Sequence, residues 1–418
     1  MSTPQQNDSA APAPWAPAAR SEVGKLRTVM VQRPGLAHER LTPTNCGGLL
    51  YDDVIWVRRA RQEFDAFVDL MREYDVEVLF LQDLLREALD VPEGRTWLLD
   101  YRLRPEEVGL PLSSLLHEWM DAMPSDHLAG WLIGGVTARD VPDDVGKFVA
   151  RATSPYAFLI APLPNATFTR DSSAWVYGGV SVHPMHWPAR RKETAIVECV
   201  YRYHPRFAAA DFDIWFGSTE HEWGSATMEG GDVMPVGDGV VLCGISERTT
   251  YPGITIWAQS LFRSGAARMV LGAHMPPDRA SMHLDTVFTF CDRDLVTVYE
   301  PVVHNIQTLI FTPGDEEHPD VRFSEKSWIE TLKEQLGIPD LRVVPTAGDA
   351  FEAERQQWDD GNNVVALEPG VVVAYERNED TNNRLRRHGV TVLEIAGAEL
   401  GRGRGGSHCM TCPIDRDA

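Results

Sequence analysis

SAWVYGGVSVHP at 173–184, DVMPVGDGVVLCG at 232–244 and NVVALEPGVVVAY at 363–375 repeat one pattern: a β-rich run, a glycine-bearing turn and a second β-rich run. HLDTVFTFCDRDLVTVYEP at 283–301 carries the same strand, turn and strand. A helix-like segment and a further strand follow in at least two cases, ITIWAQSLF then ARMVLGA, and DTNNRLRRHG then VTVLEIA. Each copy opens on an acid or its amide: Asp171, Asp232, Asp285 and Asn363. Asp232 precedes Gly239 by seven positions, as Asn363 precedes Gly370, and Asp171 precedes Gly179 by eight. Four hairpins with a polar residue at the strand mouth predict modules set radially, with those mouths converging.

The opening segment supplies a fifth module. LRTVMVQRP at 26–34 reads as a strand closed by Pro34-Gly35, and VEVLFL at 76–81 as a buried strand. Between them Ala60, Phe64, Phe67, Val68 and Met71 recur at helical spacing, with Asp52 or Asp53 available as a cap. From about 82 to 149, Leu84, Leu85, Ala88, Leu89, Leu112, Leu115, Leu116, Trp119 and Met120 predict a helical insert, after which YAFLIAPLP at 156–164 returns to strand. Residues 1–22 are Ala-, Pro- and polar-rich at their start and read as a disordered tail. The catalytic domain is then 23–81 with 150–418, and 82–149 interrupts it.

Composition excludes several classes of function. Thirty-nine Lys and Arg against 61 Asp and Glu leave a net charge of −22, which repels phosphates and anionic lipid and suits a cationic small molecule. Neither nucleic acid nor membrane is an expected partner, since no run of about 18 apolar residues occurs. Six cysteines in 418 residues are no disulfide framework, so a reducing cytoplasm is expected.

FTRD at 168–171, MEGGDV at 228–233 and HLD at 283–285 bring Asp171, Glu229, Asp232 and Asp285 toward His283 if the modules converge. His283 and Asp285 lie two apart in a strand-like run, which puts both on one face. A catalytic metal is not expected, because no HExxH spacing or second matched His occurs. GRGRGGSHCMTCPI at 401–414 is a glycine-rich loop carrying Cys409 and Cys412. A single C-x-x-C is half a zinc site or a redox pair, and the sharper reading is one nucleophilic cysteine served by a distant histidine.

FTRD, MEGGDV, GISERT, HLDTVFTF, QWDDGNN and GRGRGGSHCMTCPI, in that order, resemble the arginine deiminase family of the guanidino-group-modifying superfamily. The similarity runs from VGKLRTVMVQRPG at 23 to CPI at 414. The resemblance implies an α/β fold, a five-bladed propeller of ββαβ modules about a pseudo-fivefold axis with an α-helical insert. It implies hydrolysis of L-arginine to L-citrulline and ammonia, with no cofactor. Cys409 matches the nucleophile, His283 the general acid and base, and Glu229 the acid beside it. Asp171 and Asp285 match the carboxylates that grip the guanidinium. Arg190, Arg248 and Asn165 match groups that hold the α-carboxylate and backbone end of arginine, where Phe168 also lies. Asp232 matches a site carboxylate without a firm role, and Arg404 lies in a loop that moves as substrate enters. One departure is Ser407, where the family has glycine, which bears on the mobility of that loop. A homo-oligomer is expected.

Overall fold

In the computed structural model, which describes residues 15–152 and 154–418, the chain builds five three-stranded units on one plan. In each, two strands pair antiparallel, as a hairpin in all but the first unit, and one of them pairs in parallel with a third strand reached through a crossover. The second unit is Ser173–Val176, Gly179–Val182 and Asp213–Phe216, with helix Arg191–Tyr203 in the crossover. The third is Val233–Pro235, Val240–Ile245 and Met269–His274, with helix Tyr251–Arg263. Phe288–Asp292, Leu295–Val298 and Arg342–Pro345 make the fourth, and Val365–Glu368, Val371–Tyr375 and Thr391–Ile395 the fifth.

The first unit joins the two ends of the chain. Leu26–Val31 pairs in parallel with Glu77–Phe80 and antiparallel with Cys412–Arg416, so the last strand completes the unit that the first strand begins. Helix Val57–Glu73 is its crossover, and the five apolar residues that announced it are buried. It has no side-chain cap: Trp56 is its N-cap, while Asp53 pairs with Arg402. The fourth crossover holds an unanticipated hairpin, Gln307–Thr312 and Asp320–Phe323, which extends the third unit's sheet to five strands.

Helices Leu81–Leu89, Pro92–Arg102, Pro105–Val108, Leu110–Asp121, Ser125–Gly134 and Asp143–Ala152 fill the segment read as an insert. Their apolar face is not self-contained. Leu85, Leu99 and Leu132 share one core with Trp175, Val180 and Val197 of the second unit, so they brace it rather than stand apart.

The tail boundary moves. Residues 1–14 lie outside the described residues, but from Trp15 the chain is docked. Tyr177 N–H donates to Ala19 O at 2.8 Å, Arg20 N–H to Arg416 O at 3.1 Å, and Trp15 lies under Arg206. Ala18, Ala19, Ser21 and Glu22 are buried. Composition hid this because two small residues and a hidden acid look like linker.

Candidate active site

The acids sit neither on strands nor at strand centres. Asp171 lies in a single helical turn, Thr169–Ser172, immediately before its strand; Asp232 in Gly230–Asp232; Asp285 in Leu284–Thr286. The strand-like placement of HLD is therefore corrected: His283 is extended, and a 3₁₀ turn follows it. One tight turn at the mouth of the first strand, repeated three times, is what delivers these carboxylates.

Close glycines make the turns possible. A Cβ on Gly230 would lie 1.9 Å from Arg170 O, and one on Gly231 would lie 2.7 Å from His283 Nδ1. Neither glycine has a positive φ, so close approach and not backbone freedom selects it. Gly231 N–H also donates to Asp171 Oδ1 at 3.1 Å, which ties two turns together.

His283 Nε2 faces Glu229 Oε2 at 2.8 Å, and its Nδ1 lies 3.7 Å from Asp171 Oδ1. Burial alone would lower this imidazole, but the charges of Asp171, Glu229 and Asp232 overcome it and raise His283 to about 9. Glu229 goes the other way: burial opposes ionisation, yet Arg248, His283 and Arg190 hold its carboxyl well below the usual range. Asp232 accepts from Leu284 N–H at 2.9 Å through Oδ1, leaves Oδ2 without a partner, and is pushed by burial up to about 7.

Cys409 shares one cavity with Asn165, Phe168, Asp171, Arg190, Arg248, His283 and Arg404. Its Sγ is 3.6 Å from Asp285 Oδ2, and its N–H donates to Asn363 Oδ1 at 3.0 Å. Burial, then the charges of Asp285, Asp171 and Asp360, push the thiol well above its ordinary value.

Four arginines line the cavity, and three are engaged. Arg190 Nη1 donates to Asp171 Oδ2 at 2.6 Å, and its other nitrogens grip Glu193 and the carbonyls of Asn165 and Phe168. Arg248 Nη1 donates to Glu229 Oε2 at 2.9 Å, and Arg279 pairs with Asp52. Arg404 differs. It has a left-handed backbone, its guanidinium lies over Trp358 at 3.5 Å, and all three of its side-chain nitrogens are buried without a hydrogen-bond partner. The arrangement binds Arg190 and Arg248 to the acids themselves, a coupling the sequence did not disclose.

Asp171, Glu229 and His283 present ligand atoms within 4.8 Å of one another, the one such group among the described residues. Arg190 and Arg248 hold Asp171 Oδ2 and Glu229 Oε2, and two guanidinium charges on those oxygens oppose a divalent cation there.

Sequence reading missed four contributors. Asn363 entered it only as a strand-mouth residue, and it orients the Cys409 backbone. Asp360, with φ of 61°, is buried and pushed up to about 7 by desolvation, with Arg404 opposing. Glu193 holds Arg190 from one turn of helix away. His408 lies between Asp285 and Glu22 at 2.8 and 2.9 Å. DDGNN and SHC were legible as motifs; the Glu22 contact spans nearly the whole chain and left no local trace.

Among the described residues no helix is long and apolar enough to cross a membrane. In fold the chain is similar to SxtG, an amidinotransferase from Microseira wollei, at 14% identity and a TM-score of 0.57 over 96% of this chain and 98% of that one. It is likewise similar to DDAH from Pseudomonas aeruginosa, solved as a cysteine-to-serine variant with citrulline, at 13% identity and a TM-score of 0.50 over 93% and 99%. The family model of arginine deiminase matches residues 47–416, a span that holds all the residues lining the cavity, from Leu50 to Cys409. That match covers most of the chain, and the chain belongs to the arginine deiminase family.

Proposed function

We propose that the protein hydrolyses L-arginine to L-citrulline and ammonia through an S-alkylthiouronium on Cys409. The observation that carries this reading is one buried cavity holding a thiol 3.6 Å from one carboxylate and, beside it, a raised histidine paired with a second. The same reading takes the five units as blades of a propeller about a pseudo-fivefold axis, with 82–149 as its helical insert. Support for that comes from the convergence of Asp171, Asp232, Asp285 and Asn363 from four units on one site.

A guanidinium is a planar cation whose N–H groups match carboxylates in pairs. Asp171 and Asp285 are the grips. Asp285 Oδ1 has no partner, and Asp171 keeps spare lone pairs beside its bonds to Arg190 and Gly231. Resonance makes the guanidinium carbon a poor electrophile, so the step needs a thiolate held over its plane. Sγ bonds to that carbon, protonated His283 gives its proton to one nitrogen, and the C–N bond breaks to release ammonia. His283, now neutral, takes a proton from water; hydroxide adds to the thiouronium carbon and the C–S bond breaks. The hydroxyl proton is lost as the ureido carbonyl forms and is taken up in solution by the ammonia already released, so guanidinium and water become a ureido group and ammonium. This reading assigns the α-carboxylate to Arg248 and to Arg404, whose three side-chain nitrogens lack partners, with Asn165 and Phe168 at the backbone end.

Rapid quenching during turnover of guanidinium-labelled arginine, followed by peptide mass spectrometry, tests the intermediate. The label is expected on the peptide containing Cys409; turnover with no labelled cysteine contradicts the mechanism.

A further inference from the structure

Behind Cys409 lies a chain of buried groups of alternating charge. Cys409 Sγ leans on Asp285 Oδ2 at 3.6 Å, and His408 Nδ1 sits on that same oxygen at 2.8 Å. His408 Nε2 faces Glu22 Oε2 at 2.9 Å. Beyond Glu22, Arg170 Nη1 is 3.8 Å from Oε1, and Arg416 Nη1 donates to the Glu22 carbonyl at 2.7 Å. All of these side chains are buried, so none is screened by solvent.

Both ring nitrogens of His408 face carboxylate oxygens. A neutral imidazole has one donor and one acceptor nitrogen, and the acceptor would point a lone pair at a carboxylate. With a proton on each nitrogen, both contacts become charge-assisted hydrogen bonds. Asp285 alone supplies one counter-charge; Glu22 supplies the second. Asp285 and Glu22 each gain from this: burial opposes their charge, yet hydrogen bonds from His408 hold both carboxyls below the usual range.

We infer that Glu22, from the docked N-terminal segment, is a positioning residue of the active site: it keeps His408 doubly protonated, and His408 in turn fixes Asp285 and offsets its charge beside Cys409. The match to the family model begins at residue 47, so Glu22 lies outside it. With Oδ2 held by His408, Asp285 has Oδ1 left for a ligand. The groups facing this pair are Asp285, Cys409 and His283 on one side and Glu22, Arg170 and Arg416 on the other. The inference rests on Cys409 as the reactive thiol, as proposed above, but its test needs no turnover.

In Glu22→Gln the carboxylate charge is gone while Arg170 and Arg416 remain, so His408 gives up one proton. Asp285 then faces Cys409 without a neighbouring cation, and the thiol becomes harder to ionise. Alkylation of Cys409 by iodoacetamide at fixed pH, with no arginine present, is expected to slow about tenfold, a shift of about one pH unit. Glu22→Asp should recover most of the rate. If His408 kept its proton, loss of a nearby negative charge would speed the reaction, so an unchanged or faster rate overturns the inference. Should the glutamine variant fail to fold, the wild-type chain decides. With ¹⁵N-histidine labelling and His408→Asn to assign the signal, both ring nitrogens of His408 are expected to be protonated under the conditions of the alkylation. A singly protonated ring there overturns the inference. Neither measurement depends on citrulline formation, so its failure is distinct from failure of the proposed reaction.

Discussion

Cys409, His283 and the acids are legible as residues because motifs carry them; what they do to one another is not, because that depends on three-dimensional distance. The motifs gather Asp171, Glu229, Asp232 and Asp285 near His283, whereas the charges that act most on Cys409 are those of Asp285, Asp171 and Asp360. Cys409→Ser should cut citrulline formation by at least about 10³-fold while arginine still binds, since a hydroxyl is far less acidic than a thiol. Cys412→Ser should keep substantial activity, because Cys412 is a buried thiol against Ser173 and Tyr201 rather than half of a redox pair. Loss of turnover on mild reduction would reverse that assignment. Arg248→Ala should raise KM for arginine and narrow its advantage over agmatine, which lacks the carboxylate. Agmatine used as well as arginine by the wild-type protein would contradict the role of this end of the cavity.

The pH behaviour also belongs to single residues. His283 is raised to about 9 and Cys409 is raised too, so in the free enzyme histidine is protonated and sulfur is a thiol at neutral pH. Raising pH ionises the sulfur but strips the proton that the leaving nitrogen needs. In the proposed reaction, docking of a cationic guanidinium resolves the conflict by favouring thiolate at a pH where His283 is still charged. A small cationic amidine that alkylates thiols should therefore react quickly near neutrality while iodoacetamide stays slow until alkaline pH. Coincident pH profiles for the two reagents, with a low midpoint, would show that the protein alone activates the sulfur.

At the scale of elements, strand–turn–strand periodicity was legible in the repeats, and so was the helix at 57–73. The one-turn helices before the first strands of the second, third and fourth units were not, since three or four residues carry no periodicity. They position the chemistry, and their glycines are the vulnerable points. Gly231→Ala would drive a methyl group into the His283 ring and should lower kcat about 10²-fold. Gly178→Ala, at the tip of a hairpin with nothing within 4 Å, is the matched control and should be near wild type in activity. Equal behaviour of the two would mean that the turn does not set the histidine. Ser407, the departure in the nucleophile loop, is answered by packing: its hydroxyl donates to Val373 O at 2.6 Å and accepts from Val365 N–H at 3.0 Å. It pins the loop to the fifth unit. Ser407→Gly should cost about 1–2 kcal/mol in urea unfolding, and no loss would show that those bonds are replaced.

For the whole molecule, the recurrence of the hairpin was enough to anticipate five units on one plan. Closure of the first unit by Cys412–Arg416 and docking of residues 15–22 escaped notice, because pairing between chain ends has no local signature. That closure carries Cys409 and Glu22 to the same buried cluster from opposite ends of the sequence, so the site depends on the pairing of the first and last strands. The net charge of −22 fits a cationic substrate, and the site neutralises its own acids with Arg190, Arg248 and His408. The most direct test is product analysis after incubation with L-arginine as sole substrate. Citrulline and ammonia are expected in equal amounts, with neither formed by Cys409→Ser at a comparable rate. Ammonia without citrulline, ornithine as the product, or transfer of the amidino group to an added amine in place of hydrolysis would contradict the proposed reaction.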